Sequence, residues 1–164
     1  MTRDKLLSIY LNDHLAGATL GLELAKRSRA SNQGTSLGDF LDQLVPEIEM
    51  DRATLEGLMR ELGIRFDRAK TCGAWTAEKL GRLKLNGQLT GYSPLSRLVE
   101  LEGLYLGITG KREMWIALER ALGDDVVGVD FAELRRRAES QAAEVEEHRL
   151  EVAEAVLAAP GPNS

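Results

Sequence analysis

The sequence encodes an all-α protein, four long amphipathic helices forming one bundle domain over residues 1–158, and three observations lead there. Apolar residues recur at steps of three and four through four long stretches. Residue types that start and stop helices bound those stretches: Ser93 before Pro94, Asp130 three residues ahead of Glu133, and Gly63 and Gly123 at two ends. No set of alternating apolar and polar runs marks a sheet.

The first helix is expected from residue 3 to about 30, with Leu7, Leu11, Ala18, Leu22 and Ala25 on one face and either His14 or Leu15 completing it. Its middle is small, with Ala16, Gly17, Ala18 and Gly21. A glycine inside a helix costs roughly 1 kcal/mol relative to alanine, so close approach of a neighbouring helix or of a bound group is the expected compensation. SNQG (31–34) stops this helix, and Thr35 or Ser36 caps the next.

The second helix, Leu37 to Leu62, carries the cleanest stripe: Leu37, Leu41, Leu44, Ile48, Leu55, Leu58 and Leu62, with a gap at Asp51. The adjacent row gaps at Arg52, so a polar interruption sits mid-helix on the face that should be buried. Pro46 removes one backbone hydrogen bond just ahead of it and predicts a bend, unless the helix starts near Val45. From Ile64 to Tyr92 the pattern weakens to a short helix and a loop, interrupted by Gly73 and Gly81. A connection of that length can carry the chain back along the bundle, so the third helix can begin at the same end as the second.

Ser93 and Pro94 start the third helix, whose stripe is Leu101, Leu104, Ile108, Trp115, Leu118 and Leu122, with Glu100 and Glu102 flanking Leu101. Which of the two glutamates faces inward is open. The fourth helix begins at the capping box of Asp130 and Glu133 and runs to about Ala158 along Phe131, Leu134, Ala138, Gln141, Val145, His148, Val152 and Ala155. Its seam is broken by Gln141 and His148. The tail at 159–164 is expected to be disordered.

A net charge of −5 spread over 21 basic and 26 acidic residues is a mixed surface, with no electrostatic footprint for nucleic acid or an anionic membrane. The one cysteine, Cys72, excludes an internal disulfide and a multi-thiolate metal site. With no signal-peptide core and no run of about 18 apolar residues, the expected location is the cytoplasm. Phosphate loops, nucleophile elbows and paired-cysteine metal motifs are absent from the sequence. What remains is one polar interruption per helix: His14, Asp51 or Arg52, Glu100 or Glu102, and His148. Inward polar groups from four helices are how a bundle builds a metal or cofactor site.

The runs LNDHLAGATLGLEL and EIEMDRATLEGLMREL resemble the first two helices of the ferritin-like superfamily, bacterioferritin in particular. The resemblance implies a ferritin-like four-helix bundle with a long crossover, containing a short extra helix, between helices two and three. It also implies a di-iron site of one glutamate on each of two helices and a Glu-x-x-His on each of the others. The chain departs from that set. Ala18 stands where the first helix should carry its glutamate, Glu49-Met50-Asp51-Arg52 replaces one Glu-x-x-His, and Val145-Glu146-Glu147-His148 keeps only the histidine of the other.

An arginine cannot ligate a metal, because its guanidinium offers donors and no acceptor. Arg52 is therefore expected to pair with Glu49, Glu100 or Glu102 inside the bundle, with Asp51 as a further ion-pair candidate. Three readings follow, in order. The first is a non-catalytic ferritin-like bundle that has lost its di-iron site, needs no cofactor, and acts by self-association, a homodimer being the simplest, or by binding a protein partner. The second is an oxidoreductase-class protein binding iron or another divalent metal through Glu49, Glu100 or Glu102, and His148, with His14 as a further ligand. The third is a small-molecule carrier using the space near Gly17, Ala18 and Gly21.

Overall fold

The computed structural model describes residues 2–67, 92–123, 126 and 128–158, and every regular element among them is helical. The helices are α1 (Arg3–Ser31), α2 (Ser36–Glu61), α3 (Pro94–Leu122) and α4 (Phe131–Leu157). The short helix expected in the connection, with Cys72 and Trp75, and the tail at 159–164 lie outside the described residues. No helix among the described residues is long and apolar enough to cross a membrane.

The helix ends follow the capping chemistry. The Thr35 side chain, and not that of Ser36, accepts the Gly38 N–H at 3.1 Å to start α2. Ser93 accepts from Ser96 N at 3.0 Å with Pro94 in the first turn of α3. At the end of α2, Gly63 adopts φ 67° while Ile64 N–H reaches Met59 O at 2.8 Å and Gly63 N–H reaches Arg60 O at 3.0 Å. This is the paired-bond glycine stop, completed by Ile64 and Met59 meeting in one apolar cluster. The box at α4 is half made: Asp130 accepts from Glu133 N at 2.8 Å, but the Glu133 carboxylate turns to Arg136 at 2.7 Å. The α2 helix runs unbroken through Pro46, which excludes a start near Val45.

Polar locks at both ends fix the helix directions. Where α1 finishes, Asn32 donates to Tyr92 at 3.1 Å and accepts from Arg97 Nε at 2.7 Å, and Tyr92 donates to Glu100 at 2.9 Å. Arg27 closes the network on Glu100 at 2.8 Å. The start of α3 is thus held at the end of α1. At the other pole, Arg3 donates to the Ala121 carbonyl at 3.1 Å, and Asn12 grips the segment after α2 by donating to Arg65 O at 3.1 Å and accepting from Asp67 N at 2.6 Å. Both α2 and α3 therefore run antiparallel to α1. The main packing is α1 on α2, α1 on α3 and α3 on α4, while α2 and α4 touch sparingly.

The core is divided in two along the bundle axis. One cluster gathers Leu22, Ala25, Leu41, Leu44, Ile48, Leu101, Leu104, Ile108 and Val145. The other gathers Leu11, Leu15, Leu55, Leu58, Met59, Met114, Trp115, Leu118 and Phe131. Burying a leucine or isoleucine side chain is worth about 1.5–3 kcal/mol, so these clusters supply most of the drive to fold. Between them every helix skips its apolar step at the same level: Leu15 to Leu22, Ile48 to Leu55, Ile108 to Met114, and Ala138 to Val145.

On α1 it is Leu15, not His14, that completes the apolar face. On α4 Val145 is the last fully buried seam residue, Val152 packs half-buried against the first cluster, and Ala155, expected on the seam, is exposed.

Candidate functional site

The mid-bundle level is filled from four directions. Small residues from α1 leave it open, α2 contributes Asp51, α3 contributes Lys111, and α4 contributes Arg137 and Gln141. Asp51 is buried, and its Oδ2 accepts from Lys111 Nζ, while Arg137 lies against Oδ1 as an ion pair without hydrogen-bond alignment. Lys111 also donates to Gln141 Oε1, and Gln141 passes the chain on by donating to Glu47 Oε2 at 2.9 Å. Burial pushes the Lys111 amine below the usual lysine range and Arg137 adds to this, with Asp51 pulling the other way.

Beside this cluster, between α1 and α3, lies a cavity of about 310 Å³. Its α1 wall is Gly17, Ala18 and Gly21, its α3 wall includes Gly107 and Gly110, and Ile48, Leu55, Met114 and Trp115 line it further in. Asp13, His14, Asp51, Arg52 and Lys111 add polar groups to an otherwise apolar surface. The glycines do not serve close helix contact: a β-carbon added at Gly17, Gly21, Gly107 or Gly110 would meet nothing within 4 Å. Gly17 and Gly107 are exposed and Gly21 and Gly110 half-buried, so the cavity opens to solvent along this seam.

The residues singled out from sequence are distributed as follows. Arg52 does not enter a buried ion pair with Glu49, Glu100 or Glu102; it binds Glu56 one turn along its own helix at 2.8 Å, at the cavity rim. The reason is register. Asp51 takes the inward position, and a neighbour one residue on is turned about a quarter of a circle away. Glu49 is exposed and held by Lys26 at 2.7 Å, a hydrogen bond that draws its carboxyl below the usual range.

Glu100 is the inward one of its pair, buried on Arg27 and Tyr92, whereas Glu102 is exposed, 4.0 Å from Arg149. His148 stacks on Phe40 with ring centroids 4.5 Å apart and its Nδ1 3.5 Å from Glu151. His14 meets Tyr10 edge-on at 4.5 Å and lines the cavity, and burial lowers its pKa against an opposing pull from Asp13.

These metal-ligand candidates are not brought together, and among the described residues no group of three or more His, Cys, Asp or Glu side chains is placed to hold a metal ion. At the mid-bundle level the residues present do not fit a di-iron centre. The carboxylate there is Asp51, and two cations already engage it, so a divalent ion would meet Lys111 and Arg137 at close quarters.

Lys111, Arg137 and Glu47 were missed as site residues. Lys111 had a signal: the α3 stripe steps from Ile108 to Trp115, and the position midway, the one that should be apolar, is Lys111. Comparison with family models, with curated proteins and with solved structures gives no match, so no relative lends this site an activity.

Proposed function

We propose that the protein is a non-catalytic four-helix bundle that binds a small apolar molecule in the cavity between α1 and α3. One observation carries the reading. Four helix-interior glycines, each costing about 1 kcal/mol, line a space of about 310 Å³ that no side chain fills. A cavity of that size, apolar with a few convergent polar groups, has the make-up of a ligand pocket.

The ferritin-like resemblance belongs to the same proposal. Helices α2 and α3 starting at one pole is what a crossover bundle requires, and the level at which such a bundle holds iron is the level of Asp51, Lys111, Arg137 and Gln141. On this reading the metal charge has been replaced by fixed cations. That keeps the core of the earlier expectation, a metal site turned into an ion pair, with Lys111 and Arg137 in the role assigned to Arg52. The oxidoreductase reading finds no support in the geometry, since Glu49, Glu102 and His148 face separate partners.

Titration with 1-octanol followed by amide shifts in NMR tests the pocket. Saturable binding of one molecule per chain, with shifts centred on Gly17, Gly107 and Trp115 and abolished in Ala18→Leu/Gly21→Leu, is expected. Absence of saturable binding to the wild type sinks the proposal. Elemental analysis of protein expressed in iron-supplemented medium addresses the lost metal site, where substoichiometric iron, manganese and zinc are expected.

A further inference from the structure

The outline of the cavity and the charge on its wall set the class of molecule that fits, which rests on the pocket reading above. Gly17 and Gly21 lie one turn apart on α1, and Gly107 and Gly110 one turn apart on α3. Residues spaced by three or four stack lengthwise on one face of a helix, so each pair takes away a strip of side chains that runs along the bundle axis. The two helices are antiparallel and both strips border one space. The cavity is therefore drawn out along the bundle.

Length and volume measure it separately. Its α1 wall runs from Asp13 to Gly21, just over two turns of helix or about 12 Å. At the bond lengths of a saturated chain, that distance takes roughly ten carbons in line. An apolar cavity of about 150 Å³ holds a benzene, so one of about 310 Å³ holds roughly a dozen heavy atoms. The volume thus holds about as many atoms as the length can string in single file. A rounder space of that length would hold several times more, so the cavity is one chain wide.

The charged side chains on the wall balance, Asp13 and Asp51 against Arg52 and Lys111. Both cations are already paired, Lys111 with Asp51 and Arg52 with Glu56. An anionic head group gains no attraction over a hydroxyl here, and it costs more to dehydrate.

We infer that the cavity takes an uncharged, unbranched aliphatic molecule of about ten carbons, a medium-chain alcohol in the simplest case, lying extended between the glycine strips of α1 and α3.

Calorimetric titration with hexanol, octanol, decanol and dodecanol, each below its solubility limit, tests this. Full burial of a methylene tightens binding about fourfold; beside an open seam, about threefold per methylene is expected from hexanol to decanol, with one molecule bound per chain. Affinity should level off at dodecanol, whose last carbons reach past the wall. 1-Adamantanol, which folds the carbon count of decanol into a ball, should bind about tenfold more weakly than decanol or worse, and decanoate at neutral pH no more tightly than decanol. Gly21→Leu places its added carbons in open space at the end of the α1 wall. It should weaken decanol about tenfold and leave hexanol unchanged, and the retained hexanol site reports that the fold is kept. Adamantanol binding as well as decanol does, no levelling at dodecanol, or a Gly21→Leu loss shared equally by hexanol and decanol overturns the single-file shape while the pocket stands. Decanoate binding more tightly than decanol overturns the uncharged class. Failure of every alcohol overturns the pocket reading with it.

Discussion

Lys111 on α3 donates a hydrogen bond to Asp51 on α2, joining two helices that lie on the diagonal of the bundle. No main packing contact between α2 and α3 exists for it to reinforce, so the bridge and its neighbours Arg137 and Gln141 act in place of apolar side chains at this level. Removing one partner of such a buried set strands the other charges, whereas removing the set leaves nothing stranded.

Asp51→Ala should therefore destabilise the fold by about 3–5 kcal/mol, because two cations lose their counter-charge at once. The combined replacement Asp51→Leu, Lys111→Met, Arg137→Met, Gln141→Leu should recover most of that loss, and chemical denaturation of the two variants measures it. A combined variant no more stable than Asp51→Ala would mean that the polar cluster, and not the packing around it, holds the level together.

Arg52→Leu is expected to change stability by less than about 1 kcal/mol, despite its place one residue from Asp51. Its ion pair with Glu56 is an (i,i+4) contact on a half-exposed face, a class worth at most a few tenths to 1 kcal/mol. A loss of several kcal/mol in a urea titration would return Arg52 to the buried role that the sequence suggested.

The contrast between these neighbours shows what could be read without coordinates. The four helices, their caps and the glycine stop at Gly63 were legible because each is a local event, decided within a few residues. The interruption at Asp51 was visible as a gap in a stripe, but a period of 3.6 does not distinguish a residue on the seam from its neighbour without knowing where the facing helix lies. The partners Lys111 and Arg137 are sixty and more residues away in sequence, so only the tertiary arrangement identifies them. Small residues on α1 predicted either close packing or a bound group, and the empty surroundings of their missing β-carbons argue against the first.

Glycine replacements test that decision on stability alone. Gly17→Ala and Gly107→Ala add a methyl where nothing lies within 4 Å, so each should stabilise the protein by about 0.5–1 kcal/mol and raise the melting temperature by a few degrees. Gly38→Ala should do the reverse, by about 1–3 kcal/mol, because its β-carbon would overlap the backbone carbonyl of Asn32, which cannot swing aside as a side chain would. Thermal melts of the three variants report the signs directly, and a destabilising Gly17→Ala would mean that the α1 surface is packed against something.

His14 gives the cavity wall a pH dependence whose sign is fixed. Burial lowers its pKa below the ordinary imidazole value near 6.5, with Asp13 opposing, so between those two values the unfolded chain binds a proton that the folded chain does not. The neutral form's contribution is complete above about pH 6.5 and is lost as pH falls from there through the folded value. Wild-type protein should consequently lose more stability between pH 8 and pH 5 than His14→Gln, read from urea midpoints at the two pH values. Equal losses would show that His14 titrates in the fold as it does in the open chain.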